Sequence, residues 1–302
     1  MELTKLPRPV ALVLTGGTAR AAAQAGMMRA LDEIGLTFDL IVGSSTGAIN
    51  GAVAAADPDF VFERLEPLWT AMAGDSSLSS PWRNAFRGIS RRQTLRTQTV
   101  LRAHLTGLLA DLTFDQLPIP LTVMATDLNT GRAVALESGS VVEALIASCA
   151  FPVLMPPVES PLGLLVDGSI TAAAPASQAW HRGAGSVVML DTGAATVSEE
   201  EVADARWYSV MGFALEHLIR GQAAHDLAEV GRELPVVVIS FREGSPFGLK
   251  EAATLIEPGY ETARTAISSL EQQLAAKRVF RKGIYGATGS LSRDERLIPL
   301  LR

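Results

Sequence analysis

The stretch "FDLIVGSSTGAINGA", Phe38 to Ala52, joins an apolar run to a run of small residues through a glycine- and hydroxyl-rich turn. This pattern predicts a buried strand that turns sharply into a helix. At the turn, Gly43-Ser44-Ser45-Thr46-Gly47 has the spacing G-x-S-x-G, in which flanking glycines relieve crowding around a central serine. The helix N-terminus favours negative charge that develops beside the serine. Ser45 is therefore a candidate nucleophile, and a serine-rich helix cap without chemistry is the alternative.

Outside this turn, short apolar runs alternate with helical stretches, which predicts an α/β domain with a sheet covered on both faces. The predicted strands are Val10–Leu14, Phe38–Val42, Leu121–Asp127, Arg132–Glu137, Leu164–Asp167, Ser186–Asp191 and Pro235–Ser240. The predicted helices are Ala19–Ile34, Thr46–Ala55, Asp59–Met72, Thr94–Leu109, Val141–Cys149, Glu199–Gly231 (with a break near Gly212) and Pro258–Lys277. Ser198 and Glu201 have the spacing of a capping box. We expect one domain over residues 1–302.

Composition limits the function classes. The chain has 302 residues, of which 48% are hydrophobic and 19% charged, and its net charge of −6 gives no support for nucleic-acid binding. The single cysteine, Cys149, lies in an apolar context that predicts a buried, inert thiol in a reducing compartment. Neither a signal peptide nor a membrane-spanning run is recognisable, so the expected location is cytoplasmic. Oligomeric state is not predictable from these features.

One segment, residues 75–110, differs from the rest of the chain in its charge. It has no acidic residue between Asp75 and Asp111, but it contains six arginines, at positions 83, 87, 91, 92, 96 and 102. Trp82, Phe86 and Ile89 follow a helical spacing beside them. The segment is a candidate lid or insertion that contacts anionic lipid or an anionic substrate, with the contact predicted through Trp82, Phe86, Arg87, Arg91 and Arg92. The alternative is a solvated surface insertion.

The glycines of "VLTGGTAR", Val13 to Arg20, allow two interpretations. Thr15 and Gly16 match the start of the dinucleotide loop T-G-x-x-x-G-x-G, but the later glycines are replaced by Arg20 and Ala22. That loop is typical of short-chain dehydrogenases, which also need a tyrosine followed four residues later by lysine, and none of the three tyrosines here is followed by lysine at that spacing. The dinucleotide interpretation therefore fails, and a loop whose amides bind an oxyanion remains.

A nucleophilic serine needs a base. The four histidines, His104, His181, His217 and His225, all lie in or beside predicted helices, where a structural role is expected. Asp167, in "LGLLVDGSI", ends an apolar run and should emerge at the carboxyl edge of the sheet, where burial would raise its pKa. An ordinary Asp-Gly turn is the alternative.

Together, these motifs resemble the patatin-like phospholipases, serine acyl hydrolases that use a Ser–Asp dyad. The resemblance extends over nearly the whole chain, through "GGTARAAAQAGMMRALDEIGL", "GSSTGAINGA", "MATDLNTGRAV", "ASCAFPVLMPPV", "LLVDGSITAAAP" and "FGLKEAATLIEPGYETA". It implies a three-layer α/β/α fold with a mostly parallel central sheet. It also implies Ser45 as nucleophile, Asp167 as base, an oxyanion hole at Gly16, Gly17 and Thr18, and supporting roles for Arg20, Gly43, Gly47 and Gly168.

Three positions depart from the family pattern. Where the family has G-G-G-x-R-G, this chain has Thr18 and Ala21 in place of two glycines, and the D-G-G/A motif ends in Ser169. A β-branched residue avoids positive φ, so the loop either takes a conformation that Thr18 tolerates or has an impaired oxyanion hole.

The resemblance implies hydrolysis of carboxylic esters of lipids through an acyl-enzyme on Ser45. No cofactor or metal is expected, because no His, Cys, Asp and Glu residues have ligand spacing. Two alternatives are an acyltransferase or thioesterase acting on an acyl thioester, and a non-catalytic binding protein with a lost oxyanion hole. The acyl-chain length of the substrate is not predictable from the sequence.

Overall fold

The fold is built around a central β-sheet. The computed structural model describes residues 2–78, 91–152, 154–193, 207–244, 248–275 and 280–288. Its strands are β1 (Val10–Leu14), β2 (Leu40–Ser44), β3 (Leu121–Asp127), β4 (Arg132–Leu136), β5 (Val158–Ser160), β6 (Gly163–Asp167), β7 (Ser186–Asp191), β8 (Pro235–Ser240) and β9 (Gly283–Thr288). They pair in the order β5-β6-β3-β2-β1-β7-β8-β9, and β4 pairs with β3.

The sheet is mixed. Strands β3, β2, β1, β7, β8 and β9 pair parallel to one another, whereas β4 and β6 pair antiparallel to β3, and β5 pairs antiparallel to β6. This confirms an α/β fold with a mostly parallel sheet. The parallel strands β1, β7 and β8 are nearly continuous apolar runs, as expected where helices cover both faces of a sheet.

Alternate residues of each strand enter two different cores, as the period of a strand requires. On β1, Leu12 and Leu14 pack into one cluster with residues of the helices on that face, and Ala11 and Val13 pack into the other. The sheet is therefore the middle of three layers, in agreement with the α/β/α expectation.

The helices are α1 (Ala23–Glu33), α2 (Thr46–Ala56), α3 (Val61–Gly74), α4 (Arg91–Leu109), α5 (Val141–Ser148), α6 (Ser169–Ala172), α7 (Ala176–His181), α8 (Trp207–Gly231) and α9 (Ile256–Ala275). Residues of α1 to α5 and α9 contribute to the larger core, and residues of α6, α7 and α8 contribute to the smaller one. Among the described residues, no helix is long and apolar enough to cross a membrane.

Several predicted elements need correction. The first helix was expected from Ala19, but Thr18–Ala22 forms a 3₁₀ turn before α1 begins. The break expected near Gly212 is absent, because α8 continues through that glycine. Strands β5 and β9 were not predicted, since β5 has three residues and β9 contains glycines that weaken its strand pattern. The predicted capping box at Ser198 and Glu201 lies outside the described residues.

Strand β6 also departs from the expectation. It runs antiparallel to β3, so Asp167 reaches the carboxyl end of β2 from the opposite direction and is not the end of a parallel strand. Because β4 occupies one edge of β3, β2 and β6 lie along the other edge, where Ser44 is paired with Met124 and Asp167 with Ala125. The carboxyl ends of β2 and β6 therefore meet end to end.

Candidate active site

Ser45 lies on the turn between β2 and α2, with φ 52° and ψ −131°. Positive φ is strained for a non-glycine residue and persists only where the surroundings fix it. The flanking glycines permit this turn: a Cβ on Gly43 would lie 2.5 Å from Ala48 Cα, and one on Gly47 would lie 2.4 Å from the Thr15 carbonyl oxygen. The sharp turn predicted from G-x-S-x-G is therefore present.

The structure brings the two residues of the predicted dyad together. The Ser45 hydroxyl donates a hydrogen bond of 2.7 Å to Oδ2 of Asp167. Asp167 is 1% exposed, and its other oxygen, Oδ1, accepts bonds from the Ser169 amide at 2.8 Å and from the Ser169 hydroxyl at 2.6 Å. The departure from the family motif at Ser169 thus provides an additional donor to this carboxyl.

Burial raises the pKa of Asp167 to about 6, and the hydrogen bonds from Ser169 and Ser45 act in the opposite direction. A carboxyl with this pKa is ionised at neutral pH and is a better proton acceptor than an ordinary aspartate. Among the described residues, no histidine is hydrogen-bonded to Ser45, whose amide donates to Ser148 and whose hydroxyl donates to Asp167. The four histidines lie in helices, His104 in α4, His181 at the end of α7, and His217 and His225 in α8.

Cys149 is buried beside the dyad. Burial raises the pKa of its thiol well above the usual value, and the nearby Asp167 charge raises it further. The reactive species of a cysteine is the thiolate, which this environment disfavours. The structure therefore agrees with the prediction of an inert thiol. The described residues also contain no group of three or more His, Cys, Asp or Glu side chains that could hold a metal ion.

The glycine loop, Gly16-Gly17-Thr18, lies against the serine. A Cβ on Gly16 would lie 3.0 Å from Ser45 Cβ, and one on Gly17 would lie 2.6 Å from the carbonyl oxygen of Thr192. The Gly17 amide donates to Thr46 Oγ1 at 3.3 Å. Within the described residues, the structure gives the Gly16 and Thr18 amides no protein acceptor, so these N–H groups are available for an oxyanion.

Thr18 itself adopts a φ of 51°, in the left-handed region that β-branched residues disfavour. The loop therefore does not adopt a conformation that threonine tolerates well. Thr18 occupies a backbone conformation that favours glycine. Arg20 is 1% exposed, and its main-chain N–H donates to the Gly17 carbonyl at 3.1 Å, which closes the turn after the loop.

Replacing Thr18 with glycine is expected to raise the free energy of unfolding by about 1 kcal/mol, because relief of left-handed strain outweighs the added entropy of the unfolded chain. Urea unfolding measures this change. Ala110→Gly is a matched control, since Ala110 has the same φ of 51° on an exposed turn. A Thr18→Gly variant that is less stable than the wild type, beside a stabilised Ala110→Gly variant, would contradict the strain at this loop.

A buried polar network, which the sequence did not predict, supports the loop. Gln24 Nε2 donates to the carbonyls of Thr15 and Leu190, at 2.9 and 3.0 Å. Asn50 Nδ2 donates to Gln24 Oε1 at 2.8 Å, and Trp69 Nε1 donates to Asn50 Oδ1 at 2.9 Å. A satisfied network of this kind rigidifies a core. Its sequence signal is a lone amide among small and apolar residues, Gln24 in the first turns of α1 and Asn50 in α2.

Comparisons with known proteins agree with these motifs. A family model described as patatin-like phospholipase matches residues 12–180. An uncharacterized NTE family protein of Mycobacterium tuberculosis is 36% identical over 161 residues, 53% of this chain and 42% of that protein. Lysophospholipase nte1 of Aspergillus terreus is 31% identical over 162 residues, 53% of this chain and 10% of that protein. The chain thus spans less than half the length of these two relatives.

Among solved structures, the crystal structure of VipD from Legionella pneumophila is similar to this chain with a TM-score of 0.39 and 14% sequence identity. The match covers 88% of this chain and 66% of that one.

Proposed function

Because the chain belongs to the patatin-like phospholipase family, we propose that it is a serine acyl hydrolase that cleaves carboxylic esters of lipids. The observation that carries this proposal is the 2.7 Å hydrogen bond from the Ser45 hydroxyl to the buried Asp167 carboxyl. A nucleophile bonded directly to a base with a raised pKa is the arrangement that covalent acyl transfer needs.

In the proposed reaction, Ser45 Oγ attacks the ester carbonyl carbon while its proton passes to Oδ2 of Asp167. The tetrahedral intermediate collapses, and the leaving alcohol takes that proton as the C–O bond breaks. Water then attacks the acyl group on Ser45 and gives a proton to Asp167. The acid is released when the Ser45 oxygen regains a proton from Asp167, which restores the starting state.

The negative oxygen of the intermediate needs hydrogen-bond donors. The amide of Ser45 itself is already committed, because it donates to Ser148 Oγ at 2.8 Å. The Gly16 and Thr18 amides support the proposed oxyanion hole, together with the Gly17 amide if its 3.3 Å bond to Thr46 exchanges for the substrate. The N-terminus of α2 adds a favourable dipole beside the same oxygen.

A lipid ester is the proposed substrate class, supported by the family and by the name of the fungal relative, a lysophospholipase. We also propose that the arginine-rich segment, residues 75–110, contacts anionic lipid. The protein should then co-sediment with anionic liposomes, and charge reversal of the arginines should abolish this binding. Trp82, Phe86 and Arg87 lie outside the described residues, and the structure describes no side chain for Arg91 or Arg92. The single-domain organisation of residues 1–302 likewise stays a proposal.

The proposed function is tested with p-nitrophenyl esters of increasing acyl length, using the wild type and Ser45→Ala. We expect turnover by the wild type and a loss of at least about 10³-fold in the variant, because the acyl-enzyme cannot form. Equal activity of the two proteins would contradict the proposal. Turnover that increases when an alcohol or thiol acceptor is added would favour the acyltransferase alternative.

A further inference from the structure

Ser148, the last residue of α5, is in direct contact with the candidate nucleophile. It is 0% exposed, and its hydroxyl oxygen accepts the hydrogen bond from the Ser45 amide. This amide belongs to the residue with strained, positive φ at the end of β2. Without Ser148 Oγ, the buried N–H of Ser45 would have no acceptor. This loss would destabilise the positive-φ conformation of Ser45.

The same short segment also holds the strand that carries the base. The carbonyl of Ser148 accepts a hydrogen bond of 3.1 Å from the Gly168 amide, and the carbonyl of Ala150 accepts one of 3.1 Å from the Asp167 amide. Residues 148–150 are therefore hydrogen-bonded to the backbone of both members of the proposed dyad.

This bridge matters because of the sheet topology. Strands β2 and β6 meet end to end along one edge of β3, and within the described residues no ladder joins them. Their relative position is fixed by β3 and by groups that contact both ends. Ser148 is such a group, and its side chain supplies the bond on the nucleophile side while its main chain supplies one on the base side.

We propose that Ser148 is a positioning residue, whose hydroxyl holds the strained Ser45 backbone so that Ser45 Oγ meets Oδ2 of Asp167. The inference rests on the proposed acyl hydrolase function and assigns to it a residue that does not touch the reacting atoms. Small displacements of a nucleophile from its base are costly, since about 1 Å of misplacement reduces rates by on the order of 10²-fold.

The test is Ser148→Ala, assayed with a p-nitrophenyl ester as a function of pH. We expect kcat to fall about 10- to 100-fold with KM nearly unchanged. We also expect the acid limb of the kcat/KM profile to move to higher pH, because the hydrogen bond from Ser45 lowers the pKa of Asp167 and a displaced Ser45 would weaken it. A loss of stability alone would not move this limb.

Ser44→Ala is the matched control. Ser44 is also a 0% exposed serine, adjacent to the nucleophile, but its hydroxyl has no hydrogen-bond partner among the described residues. Its removal should therefore leave kcat and the acid limb unchanged. If Ser148→Ala folds poorly, Ser148→Cys keeps one heavy atom at the γ position but weakens the acceptor, and it should lose kcat by several-fold with the same shift of the acid limb.

Wild-type kcat and an unshifted acid limb in folded Ser148→Ala or Ser148→Cys, with Ser45→Ala inactive, would overturn the positioning role but not the proposed function. Equal losses of kcat in Ser44→Ala and Ser148→Ala would also overturn the positioning role, because the removal of any buried hydroxyl beside Ser45 would then explain both. Activity that survives in Ser45→Ala would instead refute the proposed function, on which the inference depends.

Discussion

Replacing Asp167 with asparagine is expected to lower kcat/KM for an ester substrate by about 10²- to 10⁴-fold, the size of a general-base contribution. The amide keeps the shape of the carboxyl but cannot accept the proton that Ser45 Oγ loses. In the described residues, Ser45 has no histidine to accept it instead. The measurement is steady-state turnover of a p-nitrophenyl ester at pH 8.

Stability serves as the control for this variant. Asparagine can still accept from Ser169, and it removes a buried group whose ionisation is unfavourable. With a folded-state pKa of about 6 against an ordinary 3.8, ionised Asp167 costs about 3 kcal/mol at neutral pH. Asp167→Asn should therefore be at least as stable as the wild type at pH 8. A variant that keeps more than a tenth of wild-type turnover would contradict the role of Asp167.

The same carboxyl sets the expected pH dependence of the wild type. Activity should increase as the pH rises through about 6, where Asp167 ionises, and Asp167→Asn should lack this limb. Stability has the opposite sign. Because the folded-state pKa is raised, the contribution of protonated Asp167 to stability is present below about pH 4 and is lost as the pH rises through 6.

Gly47→Ala is expected to reduce the free energy of unfolding by more than about 4 kcal/mol, or to prevent folding. The new Cβ would lie 2.4 Å from the carbonyl oxygen of Thr15 and 2.5 Å from that of Leu14. Both are main-chain atoms at the end of β1, in the middle of the sheet, so neither can move without disturbing the strand pairing. Urea-induced unfolding measures the loss.

Gly107→Ala is the matched control for this substitution. Gly107 is exposed within α4, and a Cβ there would have no atom within 4 Å. Alanine has the higher helix propensity, so this variant should gain about 0.5–1 kcal/mol. A Gly47→Ala variant within 1 kcal/mol of the wild type would show that the close approach of β1 and α2 does not require glycine.

Much of the fold could be predicted, because apolar runs and glycine turns encode it locally. Strands β1, β3, β7 and β8 have the bounds expected from their apolar runs. The direction of β6 could not be predicted in this way, since a five-residue apolar run has the same pattern whether it pairs parallel or antiparallel. Strand β5 was missed for a related reason, because its three residues are too few to show a period.

The site was predictable to a different degree. G-x-S-x-G and the D-G motif pointed to Ser45 and Asp167, which the structure places in hydrogen-bond contact. Ser148 was missed, because a serine in an apolar helix shows no partner until the fold brings it to another strand. The conformation of Thr18 also depends on tertiary contacts, since propensity alone argues against positive φ for threonine.

The central claim, that Ser45 is an activated nucleophile, is tested most directly by covalent labelling with a fluorophosphonate. Peptide mass spectrometry after incubation at pH 8 should find one phosphonate on the peptide that contains Ser45. Ser45→Ala should not be labelled, and Asp167→Asn should be labelled far more slowly. Wild-type protein that stays unmodified, or that carries the phosphonate on a residue other than Ser45, would contradict the account.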